Sequence, residues 1–215
     1  MKAFNQYITE KIKLSKDRFE TKYNGFEYVD LGLPSGTLWA KCNVGAKTET
    51  EYGDYFAWGE TKPKKVYNWE DYKFGVGYNL TKYNDKDNLT ELELEDDAAH
   101  INMGNGWCMP TKEQFEELFK LDKQFIKKYN DTNVNGMLFT GANGNTLFLP
   151  AGNLYSNRNG DNEWGIYWAN IIGFHRNKYN IESAETGCFD TYDDRARINE
   201  YYRNVGALVR AVINK

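Results

Sequence analysis

The 215-residue chain is poor in cysteine and in proline, with three of the first and four of the second. Cys42, Cys108 and Cys188 lie far apart and are odd in number. That excludes a disulfide framework and a CxxC zinc site as readings of the sequence, and it fits synthesis in a reducing compartment. No apolar run approaches the ~20 residues that a membrane span needs. The opening MKAFNQYITEKIKLSKDRF is charged throughout and lacks the apolar centre of a signal peptide. The expected location at synthesis is therefore the cytoplasm, with no membrane span. The net charge is -4 and no basic stripe is present, so nucleic acid is not an expected partner. Only two histidines occur, His100 and His175, and neither stands beside a nucleophile and an orienting acid. The stretch GANGNT lacks the lysine and the following helix of a phosphate loop, and reads as a hairpin turn. No catalytic residue, metal or cofactor is expected.

What the chain has in quantity is aromatic. It carries 16 Tyr, 12 Phe and 6 Trp, and 19 Gly. Rings with polar handles are expected to build the core, and the glycines to allow many tight turns. Hydrophobic residues make up 40% and charged ones 27%, the balance of a folded globular domain.

Phe4, Tyr7, Ile8 and Ile12 fall on one face of a helical period. Residues 1–24 are therefore expected to form an amphipathic helix and linker, which docks to a partner or self-associates. Residues 25–215 are expected to form a ligand-binding domain. Short strands are predicted around 26–31, 38–40 and 52–58, followed by a long polar loop over 59–93. A short helix is predicted in LEDDAAHINMG, where Asp96 and Asp97 would favour the helix dipole. A second is predicted over MPTKEQFEELFKLDKQFIKKY, with Thr111 and Gln114 at capping-box spacing and Phe115, Leu118, Phe119 and Leu121 or Ile126 facing the core. Met137–Phe139 and Leu147–Leu149 flank a Gly/Asn turn and predict a hairpin. GIYWAN and GALVRAVI read as late strands. Strands, two central helices and further strands, with no βαβ rhythm, predict the α+β class.

Several blocks carry a resemblance: YVDLGLPSGTLWAKCNVGA, EYGDYFAWGETKPK, EDDAAHINMGNGWCMPTKEQFEEL, NGNTLFLPAG, GIYWAN and the closing VRAV. Together they resemble C-type lectin-like proteins of gut Bacteroidetes and their phages. The branch is that of the variable proteins of diversity-generating retroelements, related to formylglycine-generating enzymes. The likeness spans about Tyr28 to Val212. The element from Trp107 to Leu118 is similar to the RLPTEAEW element of the wider superfamily, with Cys108 where that element has Arg. The resemblance implies a C-type lectin-like fold with short antiparallel strands, two flanking helices and long loops. It also implies virion association, and variable ligand-binding residues within Tyr167 to Arg210. Retroelement variation falls largely on AAC codons, which cannot become Lys, Glu, Gln, Met or Trp. None of those five occurs in Ala169–Asn177 or in Gly187–Asn199. Glu182, Glu185 and Glu200 would then be fixed positions.

Relatives of the formylglycine-generating type use cysteines and a copper or calcium site, but Cys188 has no second cysteine near it in the sequence. The Glu-Pro-Asn, Gln-Pro-Asp and Trp-Asn-Asp tripeptides of calcium-dependent lectins are absent, and calcium needs six to eight oxygens in one cage. The stretches NLYSNRNGDNEW, NIIGFHRNKYN and CFDTYDDRARINEYYRN instead have the Tyr/Asn/Ser/Gly/Arg character of binding surfaces. The expected contact residues are Tyr155, Asn157, Arg158, Asn170, Ile172, Phe174, His175, Arg176, Tyr192, Asp193, Arg195, Arg197, Asn199, Tyr201 and Tyr202. Arg210 is assigned to the scaffold. The expected function is non-enzymatic recognition of a protein or glycan on a cell surface. The alternatives are a formylglycine-generating-type enzyme and a structural or oligomerising virion decoration protein.

Overall fold

The computed structural model describes residues 21–77, 79–160, 162–175, 178–191 and 195–214, with 175 and 178 described through their backbone alone. One antiparallel sheet joins β1 (Lys22–Tyr23), β2 (Phe26–Asp30), β3 (Leu38–Ala40), β13 (Val212–Ile213) and β6 (Trp107–Cys108), in that order. A second joins β7 (Asp122–Ile126), β8 (Gly136–Thr140) and β9 (Thr146–Pro150). A third joins β10 (Trp164–His175), β11 (Lys178–Asp190) and β12 (Ala196–Tyr202). A small ribbon pairs β4 (Gly75–Val76) with β5 (Asn79–Leu80). The described α-helices are α1 (Ala98–Met103) and α2 (Lys112–Leu118).

Among the described residues strand accounts for 36% and helix for 12%, which corrects the α+β expectation: the fold is β-rich, with several antiparallel sheets. Two elements make the difference. The predicted long helix forms its start, where Thr111 Oγ1 accepts from the Gln114 backbone N–H and Gln114 Oε1 accepts from the Thr111 N–H. It then stops at Leu118, and Asp122–Ile126 pairs antiparallel with β8 in the register Gln124↔Leu138. Tertiary pairing overrides the helix propensity of DKQFI. Second, much of the polar sequence after residue 170 is strand rather than loop. β10 and β11 are 12 and 13 residues long, and β12 adds seven.

The amphipathic pattern of residues 4–12 lies outside the described residues. β1 pairs with β2 around a turn in which Asn24 and Gly25 both have positive φ, so sheet structure begins before the boundary expected at Gly25. The predicted 137–149 hairpin forms with Met137 opposite Leu149.

The third sheet lies between two apolar clusters. Along β10, Ile166 and Trp168 join one cluster while Tyr167 and Ala169 join the other. β11 repeats this with Cys188 and Phe189. A strand buried on both faces places side chains in both layers through its period of two. Gly187 lets α2 approach the sheet: a Cβ there would come within 2.5 Å of the Phe115 ring.

The closing segment, residues 203–213, ties these layers together. Its carbonyls accept N–H bonds from Trp58 (on Arg203 O, 2.9 Å), Tyr155 (Gly206 O, 2.9 Å) and Phe56 (Ala207 O, 2.9 Å). Further bonds come from Trp168 (Leu208 O, 3.0 Å), Val44 (Val209 O, 3.0 Å) and Ala40 (Ala211 O, 2.8 Å). Arg210, wholly buried, donates Nε to Asn43 Oδ1 at 2.7 Å and further N–H groups to the carbonyls of Ala40, Lys41 and Phe148. Arg203, also wholly buried, donates to Tyr72 Oη and to the carbonyls of Lys82, Tyr83 and Ile181. The rings of Trp58, Tyr72, Phe74 and Tyr83 surround its guanidinium, the nearest centroid 4.7 Å away. Burial pulls both guanidinium pKa values down from the ordinary arginine range.

Arg210→Met keeps much of the volume but leaves three carbonyls and Asn43 Oδ1 without their donor. Backbone acceptors cannot be removed in compensation, so the expected loss is on the order of 3 kcal/mol in urea unfolding. A loss under about 1 kcal/mol contradicts the bracing role.

Candidate ligand-recognition surface

The far end of the third sheet carries the exposed rings. Phe174 and Tyr179 face each other across the β10–β11 pair, 44% and 42% exposed, with ring centroids 5.2 Å apart. Tyr202, at the end of β12, is 58% exposed and meets Trp69 edge-on at 6.1 Å. Asn180, Ser183, Glu200, Tyr201 and Tyr202 line an open cleft of about 270 Å³. Ser183 stands opposite Tyr202 and Glu185 opposite Glu200 in the β11–β12 register, which puts all four on one face. Ser183 Oγ donates to Glu200 Oε2 at 2.5 Å. Glu185 is buried 3.4 Å from Lys112 Nζ, and its Oε2 has no hydrogen-bond partner. Burial raises the Glu185 pKa above the ordinary glutamate value, against the lowering effect of Lys112. Burial also pushes the Tyr201 hydroxyl up to about 12, so it stays a neutral O–H group.

The expected contact residues do not form one patch. Tyr201, Tyr202 and Phe174 gather at this end of the sheet. Tyr155 meets Tyr55 edge-on and packs tilted against Tyr67, and Arg158 lies 3.6 Å above its ring while donating to the Tyr155 carbonyl. Arg158 faces an open cleft of about 580 Å³ shared with Glu51 and Asp54. The loop over 59–93 links the two regions, because Tyr67 touches Tyr155 and Trp69 touches Tyr202. Asn157 and Arg195 are exposed. Arg197 pairs with the buried Asp190 at 3.0 Å and lies over Trp164. Asn199 is exposed, and its side chain accepts from the Glu200 N–H. Asn170 is half-buried, its backbone bonded to Pro110 O and by Leu92 N. Ile172 is corrected: at 2% exposed it packs in the core, on the inward side of the β10 irregularity. Arg176, Tyr192, Asp193 and the His175 side chain lie outside the described residues.

The expected contact residues leave out Trp69, Tyr179, Asn180 and Ser183. Tyr179 and Asn180 belong to the NIIGFHRNKYN stretch already read as a binding surface, Trp69 lies in the polar loop over 59–93, and Ser183 is in β11, whose polar side chains read as loop.

The acidic residues before α1 hold lysines. Lys82 Nζ lies 2.5 Å from Glu93, 3.0 Å from Glu95 and 2.6 Å from Asp96, and Lys73 and Tyr83 also donate to Asp96. An ammonium group thus occupies the middle of the one three-carboxylate group found among the described residues. Only Asp97 caps α1, accepting from the Ala99 and His100 N–H groups and also from Met109. The cysteines are all free. Burial pushes the Cys108 and Cys188 thiols up to about 12, away from thiolate chemistry at neutral pH. His100 Nδ1 sits 3.3 Å from the Trp107 carbonyl. Among the described residues no helix is long and apolar enough to cross a membrane.

Comparison with protein-family models, with curated proteins and with solved structures finds no match to this chain.

Burial pushes the Asp96 pKa up, but donation from Lys73, Lys82 and Tyr83 outweighs it and holds the group below 3.8. A lowered folded-state pKa stabilises the fold above the unfolded value, and that stability is lost as pH falls through the folded one. Stability measured by chemical unfolding should therefore fall below about pH 4, and Asp96→Asn should reduce this acid dependence while costing about 2 kcal/mol at pH 7. An unchanged acid profile in the variant contradicts the assignment.

Proposed function

We propose that this protein is a non-enzymatic recognition protein whose ligand surface centres on the far end of the third sheet. The observation that carries the reading is the grouping of Phe174, Tyr179 and Tyr202, three large exposed rings, at one end of a sheet whose body is buried on both faces. Aromatic side chains with few rotatable bonds give large contact area at low entropic cost, and a rigid scaffold keeps them positioned. The resemblance to retroelement variable proteins supports the same region, since the span Tyr167–Arg210 contains β11, β12 and most of β10. It also brings the proposals that the chain is phage-encoded and diversified by a retroelement. The proposed partner is a protein or glycan on a bacterial cell surface, with no cofactor. A formylglycine-generating-type enzyme is less well supported, because Cys188 is buried beside Thr186 with its thiol pKa raised. A virion decoration role would rest on residues 4–12, outside the described structure.

Replacing Phe174, Tyr179 and Tyr202 together by Ala should abolish binding to bacterial cells or arrayed glycans. The melting temperature should drop by less than about 4 °C, as expected for surface changes. Binding that survives the triple substitution contradicts the site. A gene neighbourhood with neither a reverse transcriptase nor a near-repeat of the 167–210 coding region contradicts active diversification alone.

A further inference from the structure

We infer that the cleft between Tyr202 and the Ser183–Glu200 pair takes a single neutral pyranose ring, bound without a metal. The inference rests on the recognition reading above and narrows its ligand to a class.

The chemistry of the cleft argues for a sugar. Tyr202 offers an exposed ring that the C–H face of a pyranose can cover. Asn180, Ser183 and Glu200 offer an amide, a hydroxyl and a carboxylate along the same cleft. This is a mixed set of donors and acceptors, suited to the hydroxyls on a sugar's edge. Glu200 Oε2 already accepts from Ser183 Oγ, and Glu200 has further interactions. The carboxylate is thus part of a hydrogen-bonded network and presents acceptor lone pairs, not a lone charge awaiting a cation. Size points the same way. A volume of about 270 Å³ lies just below the range of roughly 300–1,000 Å³ usual for drug-sized ligands, and suits one ring better than a peptide segment.

The backbone makes room for this arrangement. A Cβ on Gly173 would collide with both Ser183 Oγ and Glu200 Oε2. The Ser183–Glu200 pair can occupy its place only because residue 173 has no side chain. Gly173→Ala therefore displaces the floor of the cleft while leaving Tyr202 untouched.

The test is saturation-transfer NMR on the full chain, with the methyl pyranosides of glucose, galactose, mannose and N-acetylglucosamine at about 10 mM and a metal chelator present. At least one pyranoside should receive transfer to its ring protons. Tyr202→Ala, Ser183→Ala and Gly173→Ala should each weaken its binding by about tenfold or more, a change typical of an anchor residue. Leu94→Ala, an exposed apolar position outside the cleft, serves as control and should leave binding unchanged. Circular dichroism and melting curves establish that each variant folds. The inference is overturned if no pyranoside receives transfer, or if transfer persists undiminished in folded Tyr202→Ala. If no pyranoside binds but the triple aromatic substitution still abolishes cell binding, the sugar class fails and the recognition surface stands. If cell binding also survives that substitution, both fail.

Discussion

The architecture depends on how the segment from Arg203 to Ile213 is satisfied. Six of its carbonyls accept N–H bonds from separate parts of the chain, at residues 40, 44, 56, 58, 155 and 168. Its two arginines donate outward in the opposite sense, into carbonyls at 40, 41, 82, 83, 148 and 181. A buried guanidinium is costly unless its donors are met. Here they are met mainly by neutral backbone oxygens, and for Arg203 also by a box of aromatic faces. Each guanidinium is a many-pointed staple that holds irregular backbone, the kind of chain that cannot satisfy itself by regular pairing.

That bracing explains how a chain with short strands in most sheets supports a polar, aromatic-rich surface. The body of the third sheet is fixed on both faces, with Trp168 and Tyr167 wholly buried on opposite sides. The exposed rings sit where the sheet outruns the two clusters. Recognition and stability are therefore carried by different residues of the same strands, often neighbours. Tyr202 is exposed, while the next residue, Arg203, is wholly buried.

The sequence made some of this legible. The Thr111 capping box, the 137–149 hairpin and the strand in GIYWAN followed from local rules: cap spacing, turn chemistry and apolar runs; Arg210 was assigned to the scaffold from its place in the closing run. The β-rich class did not follow. DKQFI has helix-forming side chains, and only its partner β8 makes it a strand. β11 was hidden because polar side chains fill its interior positions. Ser183, Glu185 and Thr186 are all buried, each with a specific partner, so the usual contrast between apolar and polar positions is lost. Ile172 was misread as a contact for a related reason: the irregularity in β10 turns it inward, and no neighbour in sequence signals that turn. The tyrosines and arginines of the last forty residues looked alike in sequence, yet some are staples and others are displayed.

The central claim is that the closing segment locks the layers into one cooperative unit. Native-state hydrogen exchange tests it most directly, on the amides of Ala40, Phe56, Trp58 and Trp168, whose acceptors all lie between 203 and 211. The account predicts that these four exchange only through global unfolding, with opening free energies equal within about 1 kcal/mol. It also predicts that Arg210→Lys lowers all four together. Separate openings, with the Arg210 substitution lowering only Ala40, would contradict it.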